Sequence, residues 1–152
     1  MPNKKVLYLL KMKNKAVENP NDQAQISNKA PNLKPKNYDL IERTAKFGEN
    51  IIDFCNTLPR NEINRPLISQ LIRSGTSQGA NYMEADAAVS KKDFENKIGL
   101  CRKESKESMH WLRMIARANQ NRKEDCRRLW KEAQELVWIF SKIISNSKNS
   151  KK

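Results

Sequence analysis

Between Phe94 and Ile115 the residues Phe94, Ile98, Cys101, Ser105, Ser108, Leu112 and Ile115 recur at spacings of three and four. That period belongs to one face of an α-helix, because a strand would need strict alternation. The seam returns downstream in Cys126, Trp130, Ala133, Val137, Phe140 and Ile144, beside Leu129, Leu136 and Ile143. Upstream, Tyr38, Ile41, Ala45, Gly48, Ile52 and Cys55 form one row, and Phe47, Ile51, Phe54 and Leu58 a second beside it. A fourth stripe runs through Ile68, Ile72, Gly75, Gly79 and Tyr82, flanked by Leu67, Leu71 and Met83. Four such stripes predict helices over about residues 38–57, 66–89, 91–118 and 122–146. Long amphipathic helices with short connections make the expected fold all-α, an antiparallel up-down-up-down four-helix bundle.

The boundaries carry their own chemistry. "LPRNEINRP", residues 58–66, ends the first helix and starts the second, with Pro66 acceptable in a first turn. Ser90 is placed to cap the third helix, with Asp93 three residues on to meet its free amides. In "NQNRKE", residues 119–124, Asn121 is the expected cap of the fourth.

"RSGTSQGANY", residues 73–82, poses a separate question, because two glycines stand four apart among small polar residues. A phosphate-binding P-loop needs Lys-Ser/Thr after its second glycine, and no lysine follows Gly79. A dinucleotide loop needs GxGxxG after a strand, and the segment has neither. The segment reads as a helix interior whose small residues let a neighbouring backbone approach closely. Two interior glycines cost about 2 kcal/mol against alanines, so close packing must return it.

The chain's 152 residues suit one domain, and its +13 formal charge favours polyanionic partners. The charge is uneven: residues 1–37 hold eight lysines against Glu18 and Asp22, and "KNSKK" closes the chain. Residues 11–37 are rich in Asn, Lys, Pro and Gln, so 1–37 is expected to be a disordered basic tail and 147–152 a second basic tail. Three well-separated cysteines without a CxxC pair point to free thiols in a reduced, cytoplasmic setting. No stretch approaches the roughly 18 apolar residues of a membrane span.

Catalytic constellations are thin. Glu107 and His110 form a Glu-x-x-His pair, but di-iron bundles need two such pairs and the chain has one histidine. The same count removes histidine triads and most zinc sites, so no metal, cofactor or enzymatic activity is expected. Gln78, Asn81, Glu84, Lys103, Glu104 and Glu107 gather in mid-helix and read best as a solvated face or a register-fixing network. A deep polar pocket around Asn81, Glu84 and Glu107 would argue for an enzyme instead. Arg113, Arg117, Arg122, Lys123, Arg127, Arg128 and Lys131 crowd one end of the bundle against Glu124 and Asp125, and are the candidate nucleic-acid contacts. Contact there would be phosphate-led and steeply salt-dependent. Trp138 and Ile139 fall off the inward stripe of the last helix, which marks them as candidate oligomer-interface residues.

Residues 73–115 resemble the four-helix-bundle family known from intervening sequences of bacterial 23S rRNA genes. The resemblance rests on Arg73-Ser74 with Ser77, Asn81 with Glu84-Ala85, Ser90-Lys91 with Asp93-Phe94, Lys103-Glu104, Glu107 and Trp111-Leu112. It extends over about residues 38–145. It implies an up-down bundle assembling as a ring, typically a homopentamer, with no established activity or catalytic residue. A related branch, the accessory variability proteins of diversity-generating retroelements, forms basic rings that associate with a reverse transcriptase and nucleic acid. Two partner classes are therefore expected: RNA bound through the basic surface and tails, or a protein such as a reverse transcriptase.

Overall fold

The computed structural model describes residues 39–150; the expectations for the 1–37 tail and for Tyr38 lie outside them. Four helices account for the bundle: α1 (Leu40–Asn56), α2 (Asn64–Asp86), α3 (Lys91–Ala118) and α4 (Lys123–Asn149). A 3-10 turn, Gln120–Arg122, precedes α4. No strand occurs among the described residues.

Helix α1 opens at Asp39, whose carboxylate accepts from the Ile41 amide at 3.0 Å. Its buried face is Leu40, Thr44, Phe47, Gly48, Ile51, Phe54 and Cys55. The face is rotated from the expected one: Ala45 is exposed and Ile52 is 40% exposed. The bulky row Phe47–Ile51–Phe54 removes more apolar area from water than the thin row, so it takes the centre of the interface.

Helix α2 begins two residues before Pro66, because the Asn61 side chain accepts from the Asn64 amide at 2.8 Å. It ends at Asp86, short of Val89; Ala87, Ala88 and Val89 make the reversal into Ser90, which is held extended. Ser90 caps α3 as expected, its hydroxyl accepting from the Asp93 amide at 3.1 Å. All seven residues of the α3 seam are buried, together with Glu104. Asn121 does not cap α4; no side chain does. Instead Asn119 organises that turn, since it is buried, exchanges amide hydrogen bonds with Asn64 at 2.9 and 3.0 Å, and donates to the Ile115 carbonyl. Helix α4 continues through Asn149, past the expected start of a tail at 147, with Ser147 buried.

Packing joins α1 to α2 and α4, and α3 to α2 and α4, so α1 and α3 sit diagonally. Residue order runs oppositely across the α2–α3 contact, where Ser74 meets Ser108, Gln78 meets Ser105 and Glu84 meets Lys97. The same opposition holds between α1 and α4, where Arg43 bonds Glu132 and Thr57 accepts from Arg122. Gly48, Gly75 and Gly79 form the α1–α2 contact. A Cβ at Gly75 would lie 2.9 Å from the Ile51 side chain, and one at Gly79 would lie 3.5 Å from the Thr44 backbone. "RSGTSQGANY" is thus the interior of α2, and Gly75 marks its tightest approach to a neighbour.

Candidate nucleic-acid interface

A polar seam between α2 and α3 positions everything else on that side of the bundle. Arg73 reaches across to Glu104 at 3.1 Å and to Glu107, which also accepts from the Trp111 indole at 3.3 Å. The Arg73 guanidinium holds the Glu107 carboxyl below its ordinary range, with Trp111 and Lys103 adding to the effect. Beneath this pair, the Ser108 hydroxyl donates to Ser74 at 2.9 Å and that of Ser105 donates to Gln78 at 2.6 Å. Every buried side-chain nitrogen and oxygen among the described residues has a partner. Such fully matched polar pairs admit one register between two helices, because a slip would strand buried groups.

The basic end is built from the close of α3 and the start of α4. Arg113, Arg117, Lys123 and Lys131 are exposed and make no ion pair with a described residue. Arg127 pairs with Glu124 at 3.0 Å, and Arg128 lies 4.0 Å from Asp125; both remain more than half exposed. Arg122 is different. It is half-buried, donates to the Thr57 hydroxyl at 2.6 Å and to Asp125 at 2.9 Å, and lies 5.2 Å over the Phe54 ring. Its donors are spent fastening the end of α1 to α4, so it belongs to the fold. A groove of about 450 Å³ beside this end is lined by Asn50, Arg127, Arg128, Lys131, Glu132 and Glu135, among others. Its cations and acids alternate, so its local charge largely cancels.

A model of the 23S rRNA-intervening sequence proteins matches residues 36–142, which covers the first three helices and most of α4. The chain belongs to this family. A solved structure, a protein of unknown function from the S23 ribosomal protein family of Bacteroides thetaiotaomicron, is similar at 28% identity with a TM-score of 0.65. The match covers 70% of this chain and 95% of that one. No curated protein sequence matches.

Within this family member, the residues that carried the resemblance fall mostly on the α2–α3 seam. Arg73, Glu104, Glu107 and Trp111 form one cluster; Glu84 pairs with Lys97; Ser77 and Asn81 bond back to their own helix at the Arg73 and Ser77 carbonyls. Asp93 stands in the first turn of α3, and Phe94 is buried. Glu107 and His110 have separate uses, the His110 ring packing edge-on to Trp111 at 4.8 Å. The buried Asn64–Asn119 pair gave no local signal, since its members lie 55 residues apart.

The remaining candidates divide. Trp138 is 62% exposed, whereas Ile139 packs against the core flank. Cys55, Cys101 and Cys126 are buried and free; burial pushes the first and last up to about 11 and Cys101 up to about 12. At neutral pH they are uncharged hydrophobes. Among the described residues no helix is long and apolar enough to cross a membrane.

Proposed function

We propose that the chain is a non-enzymatic, oligomeric scaffold, an up-down-up-down bundle that binds RNA through exposed cations and its basic tails. The carrying observation is the α3–α4 end, where Arg113, Arg117, Lys123 and Lys131 face solvent without neutralising partners among the described residues. Unpaired cations on a rigid support release counterions when they meet phosphates, which drives association. The seam argues against a catalytic role for Glu104 and Glu107, because Arg73 occupies both carboxylates. The family's name points toward RNA, although it describes a sequence context rather than a binding event.

Oligomerisation rests on Trp138. It lies on the side of α4 opposite the core, where an exposed indole is costly until another surface covers it. Family resemblance favours a ring, typically five-membered. The same side chain favours a second reading, an adaptor that docks on a protein such as a reverse transcriptase.

Charge reversal separates these readings. Arg127→Glu with Arg128→Glu is expected to weaken RNA binding and flatten its salt dependence by about two units of slope, as measured by fluorescence anisotropy. Unchanged affinity would remove Arg127 and Arg128 from the interface.

A further inference from the structure

Charge is distributed across the bundle by helix. Helix α3 carries eight Lys and Arg against four acids, the largest positive excess of any helix here. Its acids are engaged inward or sideways: Glu104 and Glu107 by Arg73, Glu95 by Ser147 and Lys91, and Asp93 in the first turn. The outward stripe, opposite the buried seam, holds Lys92, Lys103, Lys106, Arg113 and Arg117. All five are exposed and make no ion pair with a described residue, though Lys103 helps hold the Glu107 carboxyl low. The diagonal helix is the reverse, exposing Glu42, Glu49 and Asp53 on its outer face with Lys46 paired to Glu49.

We propose that the outer face of α3 is a linear docking track for duplex RNA, with these five cations spaced along its phosphates. The inference deepens the RNA-binding reading and rests on it, but it moves the contact from one end of the bundle to the full length of one helix. From Lys92 to Arg117 the track is ~37 Å long at the helical rise.

Two features select a duplex and an A-form one. Single-strand binders stack bases on exposed aromatic rings, and this face offers no exposed Phe, Tyr or Trp: Phe94 is buried, Trp111 is tucked against Glu107, and the one exposed ring, His110, packs edge-on to Trp111. A lone helix can enter the major groove of B-form DNA, whereas α3 is packed between α2 and α4. A row of exposed, flexible lysines and arginines suits the wide, shallow minor groove of RNA with its bordering phosphates. The acidic outer face of α1 repels the same ligand, so one side of the bundle is favoured.

The test uses the full chain and a blunt-ended RNA duplex of about 16 base pairs, long enough to span the track. Lys92→Gln, Lys103→Gln and Lys106→Gln are combined; all three lie outside the 113–131 end. A control of equal charge change combines Arg60→Gln, Arg65→Gln and Lys148→Gln, exposed cations that lie off helix α3. The track variant is expected to lose affinity by ~10-fold or more and to flatten the salt slope by about two to three units, the control far less. Unaltered helical circular dichroism in both variants keeps folding out of the comparison. Equal losses in track and control variants would overturn the proposal in favour of diffuse charge. Loss confined to the Arg127/Arg128 variant would overturn the track and leave RNA binding standing, whereas a parent chain that binds no RNA removes both. Equal or tighter binding to a DNA duplex or to single-stranded RNA would overturn the assignment of ligand.

Discussion

A methyl group added at Gly75 would stand 2.9 Å from one Ile51 carbon and 3.2 Å from its Cβ, a side chain with no exposure and nowhere to move. Gly99 has nothing within 4 Å of the same hypothetical atom. Both lie in helix interiors, where alanine is favoured over glycine by about 1 kcal/mol. Gly75→Ala is therefore expected to destabilise by about 1–3 kcal/mol through overpacking, and Gly99→Ala to stabilise by up to ~1 kcal/mol. Urea unfolding of the two proteins gives the signs directly; a Gly75→Ala chain as stable as its parent would contradict the close α1–α2 approach. Sequence alone placed both Gly75 and Gly79 on an inward stripe. It could not rank them, because the difference lies in Ile51 and Thr44 on another helix.

At the scale of helices, the α2–α3 contact carries the buried polar pairs Ser74–Ser108 and Gln78–Ser105, and Arg73 clasps its outer edge. Glu107 has a depressed pKa in the folded state. A depressed carboxyl contributes stability above its unfolded value and loses it as pH falls through the folded one. Arg73→Ala is expected to cost about 1 kcal/mol at pH 7, a modest figure because Arg73 is 45% exposed. That cost should shrink as pH falls through the lowered range in which Glu107 takes up its proton in the folded parent. Chemical unfolding at pH 7 and at pH 3 checks it, and an identical cost at both would assign Arg73 a packing role only. The α3 seam was legible in full because its period is unbroken over 22 residues. The face of α1 was legible only approximately, since two adjacent apolar rows competed and side-chain size decided. The turn before α4 misled local reading because its organiser, Asn119, bonds to a distant Asn64.

For the whole molecule, the basic end was legible as composition, but which of its cations are available was not. Arg122 looks like its neighbours in sequence, and only the fold reveals that Thr57, Asp125 and Phe54 occupy it. Trp138 was legible as an off-stripe indole, and its 62% exposure gives the oligomer proposal its test. Trp138→Ala is expected to leave the unfolding free energy of dissociated protein within about 0.5 kcal/mol of the parent, while lowering the mass measured by light scattering. A parent of monomer mass, or a mass that Trp138→Ala leaves unchanged, would contradict an oligomer contact at Trp138. RNA binding by the bundle itself is read from a salt titration comparing the full chain with one beginning at Asn37. The shortened chain is expected still to bind, with an affinity that falls steeply with salt. If neither protein binds RNA at low salt, the +13 charge serves solubility and the bundle is not an RNA-binding module.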